Sequence, residues 1–147
     1  MKTILVTGAT SGFGKAIATR FAKEGNNIII TGRRMDRLKN LKSELEANYG
    51  VEILAHCFDV RNKEDVFKCI ESIPLEWKNI DVLINNAGLA SGIDKIQEGD
   101  IEDWDKMIDT NVKGLLYVSK AVIPLLIKNK SGHIINIAST AFRLKQI

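Results

Sequence analysis

The sequence predicts an α/β fold: a doubly wound, parallel sheet with helices on both faces. Three observations carry that expectation. Short apolar runs alternate with longer stretches whose apolar positions recur at helical spacing. The runs are apolar on both faces, as strands enclosed between two helical layers must be. Turn-forming glycines and polar residues close the runs, so strand and helix follow one another in the α/β manner.

Taken in order, Ile4, Leu5 and Val6 form the first run, and a helical pattern occupies residues 13 to 24. "NIIIT" at 27 to 31 is the second strand. "RMDRLKNLKSELEANYG" then sets Met35, Leu38, Leu41 and Leu45 on one helical face and ends at Gly50, a helix stop. "VEILAHCFDV" supplies a third strand and "KEDVFKCIESI" a third helix. "IDVLINNAG" is the fourth strand, ending in polar residues and glycine. A long helix is expected from about Ile101 to Lys128, bent near Asn111 to Gly114 and at Pro124. "GHIINIAS" is the fifth strand. Right-handed crossovers turn this series into a Rossmann-like sheet of order 3-2-1-4-5, any later strands missing from these residues. Ligand is then expected across the carboxyl ends of strands 1 and 4.

Bulk properties agree with one domain spanning 1–147. The chain has 147 residues, 45% hydrophobic and 27% charged, which is ordinary globular composition. Its net charge of +3 is too small to indicate a nucleic-acid or membrane surface. Cys57 and Cys69 are not in C-x-x-C spacing and are expected to be packed free thiols in a reducing compartment. "MKTILVTG" reaches its glycine too soon for a signal peptide, and no uninterrupted apolar run is long enough to span a bilayer. The expectation is a soluble, cytoplasmic protein with no metal site.

The chemistry starts in "ILVTGATSGFGKAIA", residues 4 to 18. A Walker A loop needs G-x-x-x-x-G-K-[ST]. The best alignment, from Ala9 to Ala16, supplies Gly14 and Lys15 but has alanine at both ends of the motif. The spacing is instead T-G-x-x-x-G-x-G between strand and helix. Gly8 permits the sharp turn, Gly12 lets backbone approach a pyrophosphate, and Gly14 allows close packing of helix on strand. A tight turn without ligand is the bland alternative; the setting favours phosphate.

"TGATSGFG" at 7 to 14, "TGRR" at 31 to 34, "DV" at 59 to 60, "NNAG" at 85 to 88, "TNVKG" at 110 to 114 and "HIINIAS" at 133 to 139 stand in one order. On these motifs the chain resembles the short-chain dehydrogenase/reductase family. It is especially similar to its branch of NADP-dependent 3-hydroxy acid (serine-type) dehydrogenases. The likeness runs from residue 1 to about residue 141.

The end of the second strand suggests which dinucleotide. An NAD enzyme usually places an acid about 20 residues beyond the glycine loop. Here stand Gly32, Arg33 and Arg34, with the first acid at Asp36. Guanidinium groups can grip a 2′-phosphate that a carboxylate would repel, so NADP is the expected cofactor. Two solvated arginines opening a helix are the alternative. The resemblance implies further cofactor contacts from Gly8, Thr10, Ser11, Gly12, Phe13 and Gly14 in the loop, and from Gly88. It also implies that Asp59 accepts from the adenine amine, Val60 backs the ring and Asn86 lies against the adenosine ribose. Asp59 could equally cap the third helix, and Asn85 and Asn86 could serve to tie strands together.

The resemblance further implies hydride transfer between nicotinamide and a hydroxyl or carbonyl carbon of a small-molecule substrate. Ser139 matches the serine that binds the substrate oxygen. Asn111 matches the asparagine that interrupts the helix and holds a water for a proton relay. A strand-terminal serine and a polar kink are the alternatives. His133 starts its strand, at the wrong end of the sheet, and His56 lies inside the third strand; both read as structural.

The family's acid/base pair, Y-x-x-x-K, has no match. Tyr49 and Tyr117 both lack a lysine four residues on. Beyond "STA", where the family continues with glycine, residues 142–147 read "FRLKQI". The expectation is a truncated or frame-shifted copy, inactive as it stands. Alternatively, it is a non-catalytic dinucleotide-binding or interaction protein. The resemblance implies a homo-oligomer for a full-length member and assigns none to this chain.

Overall fold

The computed structural model describes residues 1–92 and 94–139. Five parallel strands form one sheet: β1 (Thr3–Val6), β2 (Asn27–Gly32), β3 (Ile53–Cys57), β4 (Val82–Asn85) and β5 (His133–Asn136). Their order is β3-β2-β1-β4-β5, as the alternating pattern predicts. Ile4 stands opposite Ile28 on one side and Val82 on the other, so the chain reverses its winding at β1. Residues 142–147, where the family pattern breaks, lie outside the described residues.

Two apolar layers enclose the sheet. On one face α1 (Gly12–Lys23) and α2 (Met35–Tyr49) bring Ala18, Ala22, Leu38, Leu41 and Leu45 onto Ile4, Val6, Ile28 and Ile30. On the other face lie α3 (Lys63–Ser72) and α5 (Leu115–Lys128). They bring Val66, Ile70, Val118, Val122 and Leu126 onto Leu5, Ile29 and Leu83. Each such aliphatic side chain, taken fully out of water, contributes about 1.5–3 kcal/mol. The central strands β1, β2 and β4 are therefore apolar on both faces and buried.

The edges are the ones the order 3-2-1-4-5 expects, and they are less covered than the central strands. β3 is only half-buried, and β5 leaves His133 and Asn136 exposed with Ile134 and Ile135 partly covered. Both are edge strands, so only one neighbour shields them. β5 also ends at Asn136, three residues short of Ser139. Met35 does not join the buried face of α2; it is 42% exposed at the helix start. Gly50 stops α2 as expected, with φ of +65°. Cys57 is exposed at the sheet edge instead of packed, whereas Cys69, in α3, packs against the core on that face and burial pushes its thiol up to about 12.

The long helical stretch is continuous but not uniform. α4 (Ile101–Ile108) leads into a π-helical turn (Asp109–Gly114) and then α5, which carries Pro124 inside it. By length and composition Ile101–Lys128 is apolar enough to cross a membrane, which the interrupted runs of the sequence did not suggest. Its inward positions pack on the sheet, and its outward ones, among them Ile108, Leu116 and Ile127, are exposed.

Candidate functional site

The carboxyl ends of β1, β2, β3 and β4 meet in one cleft of about 260 Å³. Its floor is the β1–α1 loop. Gly8 (φ +66°) and Gly12 (φ +53°) both hold left-handed backbone, which only glycine adopts freely. A Cβ on Gly8 would sit 2.8 Å from Ala87 Cα, so this loop and the end of β4 are in direct backbone contact. A Cβ on Gly14 would fall on the Gly8 carbonyl oxygen and Asn86 Nδ2. Around Gly12 there is open space. Ser11 precedes α1 in extended conformation; no side chain caps the helix, and no acid stands in its first turn. That leaves its N-terminal N–H groups and the positive end of the helix dipole aimed at the cleft side.

Thr7 and Asn86 lock the floor. The main-chain N–H groups of Asn86 and Ala87 both donate to Thr7 Oγ1 at 3.0 Å. Asn86 Nδ2 donates to the carbonyls of Thr7 (2.9 Å) and Gly8 (3.2 Å). Asn85 points to the other side and donates to Ser119 Oγ and Asn136 Oδ1, tying β4 to α5 and β5. The strand-tying reading of the asparagine pair thus describes both side chains, and Asn86 lines the cleft besides.

Charge gathers on the β2 side. Arg33 and Arg34 are exposed and line the cleft. Arg34 Nη2 donates to Thr10 Oγ1 at 3.0 Å, and Thr10 Cγ2 packs against Gly32 so closely that a Cβ there would lie 2.7 Å away. Asp36 sits in the first turn of α2 and does not line the cleft. Asp59 does, but Arg61 grips its carboxylate from Nε and Nη2, the latter at 2.6 Å. Burial works against the Asp59 charge; hydrogen bonds from Arg61 and the charges of Arg61 and Arg33 overcome it and hold the carboxyl below its ordinary value. Asp59 is not the cap of α3: Asn62 is, accepting from the N–H of Asp65.

Of the sequence-derived cofactor residues, Gly8, Thr10, Ser11, Phe13, Gly14, Arg33, Arg34, Asp59, Val60, Asn86 and Gly88 line this cleft; Gly12 forms its turn without lining it. Asn111 lies in the π-turn, where Oδ1 accepts from Leu89 N at 2.7 Å and Nδ2 donates to Leu89 O at 2.8 Å. It adjoins the cleft through Gly88, 3.5 Å from where a Cβ would stand. Ser139 is exposed beyond β5 on the same edge and does not line the cleft. His133 pairs with Val82 at the opposite edge. His56 is half-buried, its Nε2 without a partner, and burial pushes its pKa down.

Sequence reasoning missed Thr31, Phe58, Ala87, Leu89 and Thr110 as lining residues. Thr31 and Phe58 adjoin "GRR" and "DV" and were within reach of the strand-end rule; Leu89 and Thr110 carry no signal in their residue types.

Fold and cleft together define a Rossmann-type α/β protein with a glycine loop at its topological switch point. A family model described as short chain dehydrogenase matches residues 2–147, and the chain belongs to that family of oxidoreductases. It is 51% identical over 138 residues to an NADP-dependent 3-hydroxy acid dehydrogenase, YdfG, of Escherichia coli, covering 94% of this chain and 54% of that protein. Over 140 residues it is 46% identical to serine 3-dehydrogenase of Rhizobium radiobacter, with 95% and 54% covered. The closed form of a serine dehydrogenase complexed with NADP+ superposes with a TM-score of 0.90 at 47% identity, covering 98% of this chain and 56% of that one. The chain thus spans about half the length of the curated relatives it matches.

Proposed function

We propose that these residues form the cofactor-binding part of an NADP-dependent short-chain dehydrogenase acting on a small hydroxy acid. The observation that carries the reading is the end of β2. Arg33 and Arg34 face the cleft there; Arg33 makes no hydrogen bond or ion pair among the described residues, and Arg34 is held only by Thr10. Two guanidinium groups with no acid between them suit a 2′-phosphate. The NADP dependence of the relatives supports the same cofactor.

The residues present fit the group. Gly8 and Gly12 build a cradle whose space at Gly12 a side chain would enter, and the uncapped start of α1 receives a pyrophosphate. When bound, the dinucleotide supplies or accepts the hydride. The chain's part is binding and orientation. Asp59 would accept from the adenine amine, and Val60 and Asn86 would hold the base and ribose. Asn111 fixes the segment after β4 by its amide fork on Leu89. The π-turn interrupts the regular helical ladder there, and Asn111 would hold a water for a proton relay. Ser139 binds the substrate oxygen.

No Tyr-x-x-x-Lys occurs in these 147 residues, so no lysine-assisted tyrosine moves the alcohol proton. Residues 1–147 by themselves are expected to bind without turnover. The alternative reading is a dinucleotide-binding protein without catalysis. Calorimetric titration with NADP and NAD, followed by NADP-linked assay of serine and related 3-hydroxy acids, tests both. NADP preference without turnover supports the first reading when a version extended by a family-type second half is active, and the second when it is not. Failure to bind NADP removes both.

A further inference from the structure

The two edges of the sheet are finished differently. Beside β3, the Glu52 carbonyl and the Phe58 N–H bond inward to β2, so Ile53, Ala55 and Cys57 turn their main-chain groups outward. Glu46 of α2 occupies the first of these: Ile53 N donates to its Oε1 at 3.2 Å. A carboxylate thus stands where a further strand would add. On β5, His133 N and Ile137 N bond inward, to the carbonyls of Asp81 and Asn85. By the same alternation Ile134 and Asn136 turn N–H and C=O outward, and those groups have no partner among the described residues. Ile134 to Ile137 includes no charge and no proline, the usual guards of an edge. A bare apolar row lies beside this edge. Asn85 bonds both Ser119 and Asn136, which puts the Ser119 side of α5 toward β5. Leu116 lies one turn before Ser119, Ile123 one turn beyond it and Ile127 one turn further, so all share that side. They are 57%, 36% and 70% exposed.

We propose that the β5 edge and this row of α5 form one self-association surface, occupied by a second copy of the chain across a two-fold axis at Ile135. The edge is its own complement. Two antiparallel β5 strands centred on Ile135 set Ile134 opposite Asn136 of the second copy, and each such pair exchanges both of its main-chain bonds. Ile135 falls on the axis as a closely spaced, non-hydrogen-bonded pair. The same axis lays the two α5 helices side by side on one face of the joined sheet, row against row. Apolar side chains that otherwise stand in water are then covered. A two-fold contact closes on itself, and the guarded β3 edge adds no third copy. This surface lies away from the cleft, so the inference is independent of the dinucleotide reading.

Sedimentation equilibrium of the 147-residue chain, with amide hydrogen exchange read residue by residue, tests it. The chain should show a monomer–dimer equilibrium and nothing larger. A double variant, Ile123→Lys with Ile127→Lys, changes only exposed positions, and circular dichroism checks that it folds. It sets like charges face to face and should weaken dimerisation at least about tenfold. In the parent dimer the amides of Ile134 and Asn136 should exchange at least about tenfold more slowly than in the monomeric variant. The Ile135 amide, bonded within one chain, should exchange alike in both. A parent that stays monomeric overturns the inference, because the edge is then covered within the chain. A dimer whose Ile134 and Asn136 amides exchange as fast as the variant's overturns it too, since the contact then lies elsewhere. Particles larger than a dimer refute the two-fold closure. A double variant that dimerises as tightly as the parent removes α5 from the surface and refutes the proposal as stated.

Discussion

Gly14→Ala places a methyl group on the Gly8 carbonyl oxygen and Asn86 Nδ2, with the Gly8 carbonyl carbon 2.8 Å away. Two of these atoms are backbone, and Asn86 Nδ2 ends a side chain that two hydrogen bonds hold in place. Gly8 is itself wedged against Ala87, and Asn86 is held by Thr7 and Gly8. Overpacking of this kind costs about 1–3 kcal/mol. Displacing Asn86 removes two hydrogen bonds of about 0.5–1.5 kcal/mol each. Alanine returns about 0.5–1 kcal/mol through helix propensity. The net expectation is a loss of about 1–5 kcal/mol, a large share of the roughly 5–15 kcal/mol a domain has. Urea unfolding followed by circular dichroism measures it. A variant within about 0.5 kcal/mol of the parent, below the usual range for overpacking, refutes the close packing of loop, helix and Asn86.

Gly12→Val is the contrasting change. Its neighbourhood is open, so the fold bears only left-handed strain of about 1–2 kcal/mol. Binding of NADP and NAD should both vanish in a folded variant, and retained binding in titration would make the loop a mere turn. The Asp59–Arg61 pair has a pH signature. The folded-state pKa of Asp59 lies below 3.8, so the stability it contributes is complete above that value and is lost as pH falls through the folded pKa. The stability gap between parent and Arg61→Ala should therefore be widest above about pH 4 and close below it; a gap constant from pH 6 to about 2.5 contradicts the assignment.

The central fold was legible because β1, β2 and β4 are buried on both faces, and burial of that kind leaves unbroken apolar runs. "HIINIAS" has the composition of an interior strand, and it is the strand order, not the composition, that puts it at the edge. Met35 has the spacing of the core face, yet it stands at the first position of α2, above the layer that Leu38 begins. Of the two bends expected, the one near Asn111 to Gly114 coincides with the π-turn at Asp109–Gly114, whereas Pro124 sits inside the helix α5. At the site, glycines and arginines announce themselves by type and spacing. Thr7, which accepts from two main-chain N–H groups nearly eighty residues away, does not. Arg61 was equally hidden, since a basic residue before a helix is ordinary until its carboxylate partner is seen.

Cofactor discrimination by Arg33 tests the account most directly. Titrating NADP and NAD against the parent and Arg33→Ala should show tighter NADP binding by the parent. The substitution should weaken NADP by about 1.5–3 kcal/mol, roughly one to two decades in affinity, and leave NAD almost unchanged. Equal losses for the two cofactors, or a parent that binds NAD as tightly as NADP, would contradict the assignment of the β2 arginines to a 2′-phosphate.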